Sequence, residues 1–282
     1  MITVIAGPTA SGKTALAISE AKKLGAEIVN ADSQQVYRYF DIGTAKPSAE
    51  EFAAVPHHVI SCIDPLSDFS AAQYQRLADA AIADITARGH LVVVVGGTGM
   101  YLRILLHGVV DAPGSDSALR AELETHESAE LHARLNAVDP PTAARLPVAD
   151  RVRIIRALEI HQLTGKPASV HRAEHAFAPE RYAHRLLVLN PDRAKLYETI
   201  NARTQRMFAG GLIEETKSLV ERGFRSAAPM RSVGYTQALA HLDGQMTLDE
   251  AVADTAMKTR HYAKRQFTWF KKEPGAHFLP GA

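Results

Sequence analysis

Short apolar runs rich in β-branched residues recur along the chain, and stretches with helical spacing lie between them. Such runs are typical of strands buried in a parallel sheet, whereas an apolar period of about 3.6 residues predicts a helix. The strand-like runs are "ITVIA" near the start, "EIVN" from Glu27, "LVVVV" from Leu91 and "RLLVLN" from Arg185. We therefore predict an α/β fold in which helices flank a parallel sheet.

The segment 113–179 shows no convincing strand pattern. Its two long stretches, "SALRAELETHESAELHARLNAV" and "VADRVRIIRALEIHQLTG", have helical spacing, and prolines interrupt the segment. The run from Arg185 then returns to a strand pattern that fits the earlier sheet. We therefore expect a helical insertion domain at 113–179 within a core formed by 1–112 and 180–282.

The composition limits the class of protein. The 282 residues are 46% hydrophobic and 22% charged, which provides enough apolar material for a full core. Because the net charge is only +1, nucleic-acid binding would depend on local clusters of basic residues. Cys62 is the single cysteine, so no intrachain disulfide can form. The sequence has neither a signal-peptide pattern nor an apolar run of about 18 residues, and we expect a cytoplasmic protein outside the membrane.

A phosphate-binding loop (P-loop) is indicated by "GPTASGKT" between the first strand and a helical stretch, as in P-loop NTPases. Its two glycines let backbone N–H groups approach phosphate oxygens, Lys13 supplies a positive charge, and Thr14 is a potential Mg²⁺ ligand. The predicted diphosphate- or nucleotide-binding residues are Gly7, Pro8, Thr9, Ala10, Ser11, Gly12, Lys13 and Thr14.

The second acid that ATPases and GTPases usually place after another core strand has no counterpart in this pattern. The run from Leu91 continues into "GGTGMY", which contains no carboxylate. This weakens an interpretation as a motor or a switch, and the phosphate can belong to a substrate other than a nucleotide.

One acid, Asp32, follows the second predicted strand in "NADSQQVY". Ligands of open α/β sheets bind at the carboxyl edge of the strands, so Asp32 is expected to face the P-loop. Two roles suit that position. Asp32 can accept a proton as a general base, or it can cap the turn or helix that begins at Ser33.

Six blocks of the sequence together resemble the tRNA dimethylallyltransferases, also called tRNA isopentenyltransferases. The blocks are "GPTASGKT", "ADSQQVYRYFDIGTAKP", "VVVVGGTGMYLRILLHG", "RVRIIRALEI", "RSVGYTQ" and "TRHYAKRQFTWF", in this order. The first is shared with many P-loop proteins, whereas "DIGTAKP" and "KRQFTWF" are narrow to this family. The resemblance implies transfer of a dimethylallyl group from dimethylallyl diphosphate to N6 of the adenine at tRNA position 37, beside the anticodon, with Mg²⁺ as cofactor.

The resemblance also implies catalytic roles for four residues. Asp32 would accept the proton of the adenine amine, and Lys13, with Mg²⁺ on Thr14, would stabilise the leaving diphosphate. Thr98 would lie near the reacting adenine or the diphosphate. An N-cap of the helix that follows "GGT" is an equally good interpretation of Thr98.

Contacts to the adenine are expected from the residues that follow Asp32. Ser33, Gln34 and Gln35 can offer hydrogen bonds to a base, and enzymes that modify a base within folded nucleic acid must first flip it out. The tRNA-binding residues at this end of the site would then be Asp32, Ser33, Gln34, Gln35 and Thr98.

Further contacts to the anticodon stem-loop are expected from basic residues. Arg153 and Arg156 lie in the block where the family contacts tRNA, although solvated surface charge would also explain them. By resemblance, Arg120 and Arg231 are tRNA contacts too. The segment 258–272 has six basic residues and no acidic one. Its aromatic side chains are expected to pack on the core, while basic residues including Lys264 and Arg265 contact phosphates.

Three other functions fit part of the pattern. A small-molecule kinase can also combine a P-loop with an acid after the second strand, but it would not explain the basic C-terminal helix. An adenylate isopentenyltransferase performs the same chemistry on a free nucleotide, and the helical insertion and basic end favour tRNA instead. A non-catalytic RNA-binding module would need neither Lys13 and Thr14 nor the neighbouring acid. No obligate protein partner is indicated, and we expect a monomer.

Overall fold

The computed structural model describes residues 1–109, 112–175 and 180–281. Within this part of the chain six strands form one parallel sheet in the order β3-β2-β4-β1-β5-β6. The strands are β1 (Ile2–Ala6), β2 (Ala26–Asn30), β3 (His57–His58), β4 (Leu91–Gly96), β5 (His184–Asn190) and β6 (Ala276–Pro280).

The helices lie between β1 and β6 along the chain. They are α1 (Lys13–Leu24), α2 (Ala49–Ala54), α3 (Ala71–Ala87), α4 (Gly99–His107), α5 (Ser117–Glu124), α6 (Ser128–Val138), α7 (Pro140–Ala143), α8 (Arg151–Thr164), α9 (Ala168–His175), α10 (Arg193–Ala209), α11 (Leu212–Glu221), α12 (Tyr235–Leu242) and α13 (Leu248–Phe270). Short 3₁₀ turns lie at Phe224–Ser226 and Ala228–Arg231. None of the helices in the described ranges is both long and apolar enough to cross a bilayer.

The four predicted strands are confirmed as β1, β2, β4 and β5, and the predicted α/β class is correct. The two edge strands, β3 and β6, were not predicted. Strand β3 has only two residues, too few for a period to be visible, and β6 contains half-buried and exposed positions but no buried residue. Edge strands lack the continuous apolar run that marks a central parallel strand.

Alternate residues of the central strands face opposite sides of the sheet, and each side has its own apolar core. On one side Val4 and Val94 pack with α3 and α4, whereas on the other side Ile5 and Val93 pack with α1. The sheet is therefore buried on both faces, and its carboxyl edge is where polar groups can reach a ligand.

The chain divides into two compact units, Met1–Leu106 with Arg181–Ala282, and His107–Glu180. The second unit has its own core, which includes Leu131, Leu135 and Ile154. Its first long helical stretch is two helices, α5 and α6, because residues 125–127 break the run. Residue 179, the predicted end of the insertion, lies outside the described residues.

Candidate active site

Three polar segments meet at the carboxyl edge of the sheet. The P-loop follows β1, Asp32 follows β2 and Thr98 follows β4, and these strands are neighbours in the order β2-β4-β1. Parallel strands place all their carboxyl ends at one edge, so the topology alone brings the three segments together.

The P-loop forms an anion site at the start of α1. Gly7 has a φ of 142°, and a Cβ atom there would lie 2.9 Å from Leu189 O, so the position excludes a side chain. Helix α1 begins after Gly12 with no side-chain cap and no acidic residue in its first turn. Its first N–H groups and the positive end of its dipole border a cavity of about 290 Å³, the P-loop cavity, which residues 9–15 help to line.

Lys13 contributes the main positive charge to the P-loop cavity. Its Nζ donates a hydrogen bond to Pro8 O at 2.6 Å. Burial lowers the pKa of Lys13 to about 8, while Asp32 acts to raise this pKa and Arg203 lowers it further. An anion that enters the cavity would stabilise the charged form of this desolvated ammonium.

A second cavity of about 320 Å³, the adjoining cavity, opens beside the first. Its own lining mixes polar groups, such as Ser33 and Gln34, with apolar side chains from α10, such as Ile200 and Met207. The residues that line both cavities are Thr9, Ala10, Asp32, Thr44, Arg203 and Tyr262. A carboxylate and a guanidinium therefore lie at the junction of two cavities with different chemistry.

The two carboxylate oxygens of Asp32 have different surroundings. Oδ1 accepts hydrogen bonds from the N–H of Gln34 at 2.8 Å and of Gln35 at 3.4 Å. The capping interpretation is therefore correct for this oxygen. Across residues 1–109, 112–175 and 180–281 no group donates a hydrogen bond to Oδ2. One oxygen fixes the turn, and the other is available to a ligand.

Thr98 links the segment after β4 to the segment after β2. Its Oγ1 accepts a hydrogen bond from Ser33 N at 3.0 Å and lies 3.3 Å from Ser33 Oγ. Its carbonyl oxygen accepts from Tyr101 N at 2.9 Å, which places Thr98 at the start of α4. No N–H of α4 donates to the Thr98 hydroxyl, so this side chain is not a helix cap.

The two glutamines after Asp32 differ in what they leave open. The Nε2 of Gln35 donates to Thr44 O at 3.1 Å and to Ala45 O at 2.9 Å, so it organises the protein's own loop. Gln34 lines the adjoining cavity, and within the described ranges its buried Oε1 has no hydrogen-bond partner. Of these two glutamines, Gln34 therefore has the buried acceptor without a partner, and it faces the adjoining cavity.

Arg203 is a site residue that the sequence analysis missed. It comes from α10, lines both cavities, and its Nη1 donates to Thr9 Oγ1 at 3.4 Å. Burial lowers the pKa of Arg203, and Asp32 opposes this shift. An arginine on an amphipathic helix normally indicates a solvated face, so no sequence signal distinguished it.

Glu215 of α11 is a second missed residue, and it anchors the segment 41–47, "DIGTAKP". Its carboxylate accepts the N–H groups of residues 41–43 at 2.9 to 3.4 Å and the hydroxyl of Tyr235. Gly43 packs so closely on the ring of Tyr235 that a Cβ atom would lie 2.3 Å from it. The anchored segment helps to line both cavities, so Glu215 shapes the site without entering it.

The predicted tRNA contacts of the first unit take two kinds of position. Arg231 is exposed and lines the adjoining cavity. Lys264 and Arg265 are exposed on α13, and Phe270 of the same helix is buried in the core, as predicted. The prediction that the aromatic residues of this segment pack on the core is wrong for Tyr262, which lines both cavities. The basic face of α13 is thus free to meet a polyanion.

Most of the tRNA contacts predicted in the second unit form ion pairs within that unit. Arg120 forms a two-point ion pair with Glu159, at 2.9 and 3.0 Å, and Arg156 pairs with the same carboxylate at 2.5 Å. The Glu159 side chain is fully buried, so these arginines neutralise an internal charge. Arg153 differs, because its side chain is 70% exposed and pairs only with Asp150 in the described part of the unit.

Comparison with known proteins gives a consistent result. Residues 35–273 match the family model described as IPP transferase. The chain is 63% identical to the tRNA dimethylallyltransferase of Myxococcus xanthus (strain DK1622), over 99% of this chain and 92% of that protein. It is 53% identical to the tRNA dimethylallyltransferase of Anaeromyxobacter dehalogenans (strain 2CP-C), over 99% and 94%.

Two solved structures have the same fold. The full-length tRNA isopentenylpyrophosphate transferase from Bacillus halodurans superposes with a TM-score of 0.74 at 39% identity, covering 99% of this chain and 89% of that chain. A eukaryotic dimethylallyltransferase, described in crystallographic snapshots as acting on tRNA, superposes with a TM-score of 0.86 at 29% identity. That match covers 99% of this chain and 73% of the eukaryotic one.

Proposed function

Because the chain belongs to the IPP transferase family, we propose that it transfers a dimethylallyl group from dimethylallyl diphosphate to N6 of the adenine at tRNA position 37. One observation carries this proposal. An anion cavity at the P-loop joins a second, more apolar cavity, and Asp32 lies where they meet. A prenyl transfer needs two substrate sites of these kinds, with a proton acceptor between them.

The donor diphosphate would bind in the P-loop cavity. The uncapped start of α1 offers N–H groups and a positive dipole end, and Lys13 and Arg203 add positive charge. The carbon–oxygen bond of an allylic diphosphate breaks as negative charge develops on the leaving diphosphate, and these groups stabilise that charge.

Mg²⁺ fits this cavity through Thr14, whose hydroxyl belongs to the first turn of α1 and lines the cavity. Diphosphate oxygens and water would complete the ligand set, because Thr14 supplies a single oxygen. When bound, the ion would supply positive charge to the leaving diphosphate.

The adenine would enter the adjoining cavity after it is flipped out of the anticodon loop. Ser33 and Gln34 line this cavity, Thr98 holds Ser33 through the hydrogen bond from Ser33 N, and the free Oε1 of Gln34 can accept a hydrogen bond from the base. The apolar wall from α10 suits both the base face and the allyl group.

The reaction would then proceed by direct transfer. The adenine N6 forms a bond to the allylic carbon while the bond from that carbon to the diphosphate oxygen breaks. The amine loses a proton, and the free Oδ2 of Asp32 accepts it. The products are N6-(dimethylallyl)adenosine in tRNA and diphosphate, and every atom is accounted for.

Binding of the anticodon stem-loop would involve basic groups outside the cavities. Arg231 lies beside the adjoining cavity, and Lys264 and Arg265 lie on the exposed face of α13. In the helical second unit, His107–Glu180, Arg153 is the predicted contact with the most exposed side chain. Contacts of this kind position the RNA rather than read its sequence.

A transfer assay tests this function. Purified protein is incubated with dimethylallyl diphosphate, Mg²⁺ and unmodified tRNA, with AMP and ATP as alternative acceptors, and the nucleosides are analysed by mass spectrometry. We expect prenylated adenosine from tRNA and none from AMP or ATP. Prenylation of AMP alone would indicate a free-nucleotide enzyme, and phosphorylated products would indicate a kinase.

A further inference from the structure

Two sequence blocks that lie about 170 residues apart pack together beside the P-loop, and Gln266 of the second block also helps to line the P-loop cavity. A Cβ atom at Gly97 would lie 2.3 Å from Gln266 Nε2, and one at Gly99 would lie 2.2 Å from Trp269 Nε1. Two of the three glycines of "GGTGMY", Gly97 and Gly99, therefore lack a side chain because α13 occupies the space. The "KRQFTWF" block of α13 is thus seated on the segment that carries Thr98.

Gln266 makes the polar part of this contact. Gln266 is only 6% exposed. Its side-chain amide forms hydrogen bonds with two loops. Oε1 accepts a hydrogen bond from Thr9 N at 2.8 Å, and Nε2 donates one to Gly97 O at 2.8 Å. A primary amide is suited to this position, since it carries an acceptor and a donor on one short group.

The two loops that Gln266 joins are the P-loop and the segment that follows β4. Thr9 lies in the P-loop and contacts Arg203, which lines the P-loop cavity. Gly97 immediately precedes Thr98, which holds Ser33 at the adjoining cavity. The backbone N–H of Thr9 is also occupied by Gln266, so this N–H is not one of those that remain for a phosphate.

We propose that Gln266 is a positioning residue that sets the P-loop against the Thr98 segment, and so fixes the site of the diphosphate relative to the acceptor. This proposal deepens the proposed function and rests on it. It predicts that loss of the Gln266 amide weakens diphosphate binding and slows transfer, beyond any loss of stability.

Gln237 provides a matched control for a purely structural role. It is also a buried glutamine, 2% exposed, with two hydrogen bonds of 2.8 Å. Its Oε1 accepts from Gly234 N, and its Nε2 donates to Asp254 Oδ2. It belongs to α12, and neither of its hydrogen bonds reaches the P-loop or the Thr98 segment. Because Gly234 follows residues 231–233, which line the adjoining cavity, Gln237 is a control for pyrophosphate binding and not for the tRNA side of the site.

The experiment compares Gln266→Met and Gln237→Met, which keep side-chain length and remove both hydrogen bonds. The measurements are the melting temperature, the Kd of inorganic pyrophosphate with Mg²⁺ by calorimetry, and kcat and KM for both substrates. We expect similar falls in melting temperature. We expect the pyrophosphate Kd to rise by about tenfold for Gln266→Met and to stay unchanged for Gln237→Met. The kcat of Gln266→Met should also fall by about tenfold.

The proposal is overturned if the two variants change the pyrophosphate Kd equally, because Gln266 would then act on stability alone. If Gln266→Met does not fold, Gln266→Asn replaces it, since it retains the amide but is one methylene too short to reach both loops. For Gln266→Asn we again expect a higher pyrophosphate Kd and a lower kcat. If both values are unchanged, the proposal is rejected.

Pyrophosphate binding separates this proposal from the function on which it rests. A wild-type protein that binds pyrophosphate but does not prenylate tRNA contradicts the proposed function, while the Kd ratio of the variants still decides the role of Gln266 in the P-loop. A wild-type protein that binds no pyrophosphate overturns both.

Discussion

The two ends of strand β2 each carry an acid, and the two acids have opposite surroundings. Glu27, near the start of β2, is almost fully buried and is closed by Arg88 and by His58 Nε2 at 2.6 Å. Asp32, two residues beyond the end of β2, has only backbone N–H donors on Oδ1 among the described residues, and it opens on two cavities. The difference indicates that Glu27 supports the fold, because its carboxylate is paired inside the protein, whereas Asp32 can act on a substrate, because one of its oxygens is unpaired.

The arginines give the same lesson. Arg120 and Arg156 surround the buried Glu159 and complete an internal ion pair. Arg203 has no carboxylate at hydrogen-bond distance in the part of the chain that the structure describes, and it lines the cavities where an anion is expected. An arginine that satisfies an internal acid supports the fold, and one that lacks such a partner can bind substrate.

The strongest test of the comparison exchanges each acid of β2 for its amide. Asp32→Asn should lower kcat by about 10²-fold or more, because the amide cannot accept the proton, while the Kd of tRNA stays unchanged. Single-turnover kinetics and filter binding provide these values. Glu27→Gln is the control, and its kcat per folded molecule should match that of the wild type. An unchanged rate for Asp32→Asn would leave this residue with its turn-capping role alone.

The arginines of the helical unit test the comparison next. Arg156→Ala leaves the fully buried Glu159 with one arginine fewer, and we expect a loss of about 1–3 kcal/mol in the free energy of unfolding. Arg153→Ala should cost less than about 0.5 kcal/mol, because its ion pair is exposed. Urea denaturation measures both values. Equal stability losses would contradict the assignment of Arg156 to the fold.

Charge removal on α13 should produce a smaller effect of another kind. We expect the double change Lys264→Ala and Arg265→Ala to weaken tRNA binding by about three- to tenfold at low salt, with a shallower salt dependence. The Kd of pyrophosphate should not change, since both side chains lie on the exposed face of the helix. A change in pyrophosphate binding without a change in tRNA binding would place these charges at the donor instead.

The smallest expected effect is the contribution of Glu27 to the pH dependence of the free energy of unfolding. The hydrogen bond from Arg88 lowers the pKa of Glu27 from 4.5 to about 2, burial opposes this shift, and His58 adds to it. Glu27 therefore stabilises the folded protein above pH 4.5, and this contribution is lost as the pH falls towards about 2. The free energy of unfolding of the wild type should fall more steeply over that window than that of Glu27→Gln. Parallel pH profiles would show that the Arg88 contact contributes nothing.

The sequence predicted those parts of the fold and site that follow from strand order. The P-loop, Asp32 and Thr98 each follow an apolar run, so their meeting at one sheet edge could be inferred from topology. Arg203, Glu215 and Gln266 could not be inferred, because each comes from a helix whose docking depends on side-chain packing. Likewise, the sequence alone could not reveal that Arg120 and Arg156 converge on Glu159, since residues 120 and 159 pair across two helices.

The most direct test of the central claim is to map the product within the tRNA. Two transcripts that differ only at position 37, with adenine or guanine there, are incubated with dimethylallyl diphosphate and Mg²⁺, and nuclease fragments are analysed by mass spectrometry. The account predicts one dimethylallyl group on the fragment that contains adenine 37 and none on the guanine transcript. Prenylation of both transcripts, or of neither, would contradict it.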